Sequence, residues 1–171
     1  MTYTDIIGYI ALLFAIIANI TPNKRLLLIL AGAATLLFSI HFYLIGSTIT
    51  AITLVFMTIR TWTSIVFEKT LSICTFFLIC GIFIGIFNYE KLLSLLPIVA
   101  FTFATIAMYM FRDVKMRVLF IFAAFSMLLN AIIHGSIPAM ITETIVIMIH
   151  LYHVYKHNNL HLKGDKNENT Y

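Results

Sequence analysis

The chain has 171 residues, 61% of them hydrophobic and only 11% charged, with a net charge of +4 and a mean hydropathy of +1.01. A soluble domain carries about 25% charged residues, and one this small leaves too much area exposed to hide so much apolar surface from water. A water-soluble fold is therefore excluded, and so is a nucleic-acid surface, because the basic residues flank apolar runs instead of interleaving with exposed aromatics.

A bilayer crossing needs about 20 apolar residues. Seven stretches meet that length: 5–21, 26–46, 48–67, 71–88, 93–111, 118–134 and 137–155. The first follows Asp5 and has no basic leader, so it reads as a retained span rather than a signal peptide. Spans two and three are separated by Gly46-Ser47 alone, and spans six and seven by Gly135-Ser136; a single run from Leu26 to Phe67 would be too long for one crossing. The runs are continuous rather than alternating, which excludes a β-barrel. The expected fold is all-α: a first three-helix unit over 1–67, a linker helix over 68–92, a second three-helix unit over 93–156 and a disordered tail over 157–171.

Lys24, Arg25, Lys69, Arg112, Lys115, Arg117, Lys156, Lys163 and Lys166 fall on one side of this layout and Lys91 alone on the other. The positive-inside rule makes the first side cytoplasmic. The N-terminus is then outside and the C-terminus inside, which agrees with seven crossings.

The chain also resembles itself. Residues 6–63 align without a gap on residues 95–152. Gly46-Ser47 falls on Gly135-Ser136, Ile52-Thr53 on Ile141-Thr142, and Ala11, Phe14, Ala15, Ile17 and Ala18 on Ala100, Phe103, Ala104, Ile106 and Ala107. With an odd number of spans per unit and one linker span, the two units run parallel, an arrangement that places a small-molecule site near the midplane between them. The Ala11/Ala15/Ala18 stripe and its copy let backbones approach closely, and place spans one and five at the centre of each unit.

Ionisable groups inside a bilayer are costly and are candidates for function. His41 and its repeat counterpart Asn130, with Glu143 at a similar depth, form one expected polar layer; the alternative is a hydrogen-bonded packing cluster, with His41 bound to a backbone carbonyl or to Glu143. Arg60 either snorkels toward the cytoplasmic headgroups or faces the bundle, where it can hold an anionic group. Trp62 and Tyr43 lie near span ends and read as interfacial belt residues. His150, His153, His157 and His161 make one stripe on the last helix; without accompanying Cys or carboxylate, an interfacial role is favoured over metal binding. Cys74 and Cys80 lie in one span and read as small fillers rather than as a disulfide or metal pair. No phosphate loop, paired carboxylates or nucleophile–base spacing is present, so neither an enzyme nor a cofactor is expected.

The layout resembles the SWEET sugar transporters and the PnuC vitamin transporters, although the Pro-Gln pair of the SWEET-like motif is missing and the chain has no glutamine; Thr21-Pro22-Asn23 is the nearest stretch. Ile40-His41-Phe42-Tyr43-Leu44-Ile45-Gly46, Ile59-Arg60-Thr61, Leu95-Leu96-Pro97 and Gly135-Ser136-Ile137 followed by Glu143 resemble the YgjV-type bacterial inner-membrane proteins. That family's pattern has Asn at the positions of Met57 and His150. The resemblances imply a multi-pass protein of the bacterial inner membrane, in contact with the lipid bilayer and with a small polar solute. They lead to a small-solute transporter or facilitator, with His41, Asn130, Glu143 and Arg60 as polar contacts to substrate. Trp62 is a further candidate, because SWEET-like sites set aromatic rings against sugars. The alternative is a non-transporting membrane protein with an assembly, regulatory or partner-binding role. A polar, water-sized cavity would favour the first, and a dry, Ala-packed interface the second.

Overall fold

The computed structural model describes residues 3–67, 70–87 and 91–168, of which 158–168 are described as helical backbone alone. The breaks at Glu68-Lys69 and at residues 88–90 lie outside the described residues. Among the described residues seven α-helices form: α1 Tyr3–Ile20, α2 Lys24–Leu44, α3 Thr48–Val66, α4 Leu71–Phe87, α5 Leu96–Met110, α6 Asp113–Ile133 and α7 Ile137–Glu168. A 3₁₀ turn, Leu92–Leu95, leads into α5, and no strand occurs among the described residues. Six helical stretches are long and apolar enough to cross a membrane; α4, with 17 residues, is shorter. At 1.5 Å per residue α4 spans about 25 Å, near the lower limit for a hydrocarbon core about 30 Å thick.

Three boundaries differ from the sequence reading. Helix α6 begins at Asp113 rather than 118, so its charged first turns are helical. Helix α5 begins at Leu96 rather than 93, with Pro97 in its first turn, where its missing N–H costs no hydrogen bond. Helix α7 runs on to Glu168, so most of the stretch expected as a disordered tail is helical; no proline interrupts it, and its first glycine is Gly164.

Lipid contact explains which side chains face out. Ile6, Ile10, Leu13 and Ile17 of α1, and Phe76, Ile79, Phe83 and Ile86 of α4, recur at three- and four-residue steps and are exposed. The buried positions include many small and polar residues, Ala11, Ala18, Ala34, Ala100, Ala104, Ala107, Thr50, Thr53, Thr58, Thr105 and Asn130, packed beside Phe42, Leu54, Phe77 and Phe101. Lipid tails are as apolar as leucine, so helices associate here through close approach and internal hydrogen bonds. Many of the hydroxyls bond back to their own helix, as Thr53 does to the Ile49 carbonyl and Thr61 to that of Met57.

Helix α2 packs on both α1 and α3, and α6 on both α5 and α7. The central helices are thus α2 and α6, not α1 and α5 as the alanine stripes suggested. The two helical groups meet where α1 contacts α7 and α3 contacts α5. Helix α4 lies against α5 and, less extensively, α3. At Gly8 of α1, a Cβ would stand 2.6 Å from Pro138 Cγ of α7 and 3.0 Å from His41 Nδ1, so only glycine permits this approach.

The α2–α3 and α6–α7 turns are built alike. Gly46 and Gly135 adopt positive φ, 85° and 65°. Ser47 and Ser136 then donate their N–H groups to the Phe42 and Ala131 carbonyls, both at 2.9 Å, and the glycine N–H groups reach Tyr43 and Ile132. This is a Schellman ending, which needs the left-handed conformation at its glycine. A Cβ on either glycine meets nothing within 4 Å, so substitution there probes backbone strain alone. Gly46→Ala and Gly135→Ala should each lower unfolding free energy by about 1 kcal/mol. The matching Asn variants should lose less, because Asn tolerates this conformation; unfolding in mixed micelles measures both.

Candidate functional site

His41, in the last turn of α2, is 1% exposed. Its Nδ1 lies 2.8 Å from the Thr4 carbonyl oxygen of α1, and its Nε2 lies 2.8 Å from Ser136 Oγ at the start of α7. A carbonyl can only accept, so Nδ1 carries the proton. In the neutral ring Nε2 is then the acceptor, and the Ser136 hydroxyl donates to it. Ser136 Oγ also accepts the Ala139 N–H at 3.4 Å, which caps α7. One imidazole therefore ties together the ends of α1, α2 and α7.

Asn130 holds the matching place in α6 and is fully buried. Its Nδ2 donates to Thr50 Oγ1 at 3.2 Å, and Thr50 Oγ1 lies 2.6 Å from Ser47 Oγ. So α2 reaches across to the α6–α7 turn, and α6 reaches across to the start of α3. Edge-on contact between the Phe42 and His134 rings, with centroids 6.1 Å apart, lies in the same cluster. Of the two partners expected for His41 in a packing cluster, a backbone carbonyl or Glu143, the carbonyl is the one found.

Arg60 is 4% exposed and points into the bundle, so it does not snorkel. Its Nη1 donates to Thr105 Oγ1 at 3.1 Å and to the Phe101 carbonyl at 3.5 Å, both on α5. The guanidinium carbon lies 5.6 Å from the centroid of the Phe101 ring, within cation–π range. The Tyr109 hydroxyl donates to the Arg60 carbonyl at 3.4 Å. The Nε of Arg60 is buried without a hydrogen-bond partner.

Glu143 does not join His41 and Asn130. It is half-buried on the face of α7 that also carries Met140 and His150, and no described residue hydrogen-bonds or ion-pairs with it. Trp62 is 40% exposed and donates through Nε1 to the Ile29 carbonyl of α2 at 3.4 Å, which makes it a contact inside the first helical group. His150 stacks on Phe120 with ring centroids 5.3 Å apart, and His153 Nδ1 lies 2.8 Å from the Ile149 carbonyl. The side chain of His161 lies outside the described residues. Among the described residues no three His, Cys, Asp or Glu side chains group closely enough to hold a metal ion.

The partners Thr4, Thr50, Ser136, Thr105 and Tyr109 were missed in the sequence. The repeated Gly-Ser pair was a usable signal for Ser136, which stands at a helix start. The others needed the helix packing.

The His41–Ser136 contact is open to a double-mutant cycle. His41→Ala and Ser136→Ala should show a coupling energy of about 0.6–1.7 kcal/mol, the range for polar pairs between membrane helices. His41→Ala and Asn130→Ala, which share no partner, should be closer to additive; unfolding free energies in mixed micelles decide this.

No curated protein and no solved structure matches the chain. The family model Imp-YgjV, described as a bacterial inner membrane protein, matches residues 2–161, and the chain belongs to that family.

Proposed function

We propose that the chain is a small-solute transporter or facilitator, and not an enzyme, built from two parallel three-helix repeats joined by α4. The N-terminus and the two Gly-Ser turns face the periplasm, and the C-terminus faces the cytoplasm, because the Lys and Arg side chains concentrate at the opposite end. Transport is by rocking one repeat against the other, with substrate admitted between them. The architecture is of the SWEET and PnuC kind.

The observation that carries this reading is the pair of crossed contacts at the turn end, His41 to Ser136 and Asn130 to Thr50, each linking a central helix to the other repeat. Membrane polar contacts are worth about 0.6 kcal/mol each on average. Two of them bias a closed periplasmic end by roughly tenfold, enough to hold a gate shut and little enough to open it. Glu143, without a partner among the described residues, and Arg60 are the groups left for a polar solute; Trp62 has a packing contact and drops behind them.

One observation favours the second reading, a non-transporting membrane protein serving an assembly or regulatory partner. Leu12, Ala15, Ile16, Ile145 and Val146, with Asn19 and Thr142, line a mainly apolar cavity of only about 10 Å³ between α1 and α7, at or below the lower limit for holding a single water.

Labelling decides between the two. In a chain freed of Cys74 and Cys80, Thr142→Cys should resist a membrane-impermeant maleimide added from the periplasmic side. Adding His41→Ala should speed labelling several-fold. An inert cysteine in both backgrounds favours the packed, non-transporting protein.

A further inference from the structure

We propose that Arg60 is the binding group for a small oxyanion, a carboxylate or phosphate, between α3, α4 and α5; this rests on the transport reading and gives the solute its chemical class. Arg60 keeps its charge under all ordinary conditions. An ion inside a membrane bundle is costly unless a counter-charge meets it. No carboxylate pairs with Arg60 among the described residues, and its neighbours are the Phe101 ring, the Thr105 hydroxyl and the Tyr109 side chain.

A guanidinium has five N–H donors in a planar fork. Only Nη1 has hydrogen-bond partners among the described residues, and Nε, fully buried, has none. The Phe101 ring fixes one face of the plane and Thr105 fixes one corner. That leaves the edge carrying Nε, which suits two parallel N–H···O bonds to a carboxylate or phosphate. A cation held by Phe101 alone would be satisfied as packing, but packing gives no reason for a desolvated donor without an acceptor. The position matching Arg60 in the second repeat is Ile149, so the internal repeat does not duplicate this group.

The same chemistry is offered by a free anion and by an anionic lipid headgroup, and the test separates them. The full chain is placed in phosphatidylcholine nanodiscs and its thermal unfolding and binding are followed with inorganic phosphate, with succinate, and with glucose as a neutral control. A parallel set contains phosphatidylglycerol. Phosphate or succinate should raise the unfolding temperature of the parent, and glucose should not. Arg60→Gln should weaken that binding by about ten- to a hundredfold. Arg60→Lys, which keeps the charge and loses the fork, should lie between, and it carries the test if the Gln variant does not fold. Arg60-dependent stabilisation by phosphatidylglycerol alone supports the oxyanion site with a headgroup as its ligand. No Arg60-dependent response to any of the three anions overturns the proposal. Anion binding without opening at Thr142→Cys would leave the site standing and remove transport; opening without anion binding would do the reverse.

Discussion

A polar group turned inward in this chain finds no partner in lipid, so it bonds within the chain or goes unmet. That constraint shapes the interior alongside an apolar core built around Phe42, Leu54, Phe77 and Phe101. Many large aliphatic side chains face lipid, while Ala, Ser, Thr, His and Asn share the buried surface with Phe42, Leu54, Phe77, Phe101 and Met127. Most threonines meet the constraint cheaply by bonding to the previous turn of their own helix. His41 and Asn130 cannot, and their search for partners is what brings the two helical groups together at the turn end.

The two sides of the structure use polarity differently. At the turn end, donors and acceptors match: His41 donates to a carbonyl and accepts from Ser136, and Asn130 is held against Thr50. Around Arg60 they do not match, since a charged fork is held through Nη1 and the Phe101 ring while Nε goes without a partner. A matched seam at one end and an unmatched cation at the other are what a gate and a binding group would each require.

Helix count, apolar length and turn positions were legible from the sequence because lipid imposes a length and punctuation that a single chain displays. The Gly46-Ser47 and Gly135-Ser136 turns were legible for the same reason, since a left-handed residue between two apolar runs is most readily glycine. The family was legible through the motifs around His41, Arg60 and Gly135-Ser136. What the sequence hid was direction across the bundle. The alanine stripes announced close packing without saying against what, so α1 and α5 were placed at the centre of their groups instead of at the boundary between them. Glu143 shares a depth with His41 but not a facing direction, and depth is all that counting along a span supplies. The end of α7 was hidden for another reason: polar composition argues against burial, and helix does not need burial when nothing breaks it.

The central claim is that the two repeats move against each other about a turn end held by a few hydrogen bonds. Leu44 and Ile133 occupy matching places at the ends of α2 and α6 and are both exposed, 51% and 50%. The most direct measurement is the distance distribution between spin labels at these two positions by pulsed electron–electron resonance, in the parent and in the His41→Ala, Asn130→Ala double variant. The account predicts one dominant distance in the parent and a second, longer one in the variant. The same single distance in both, with the fold intact, would contradict it and leave a rigid bundle.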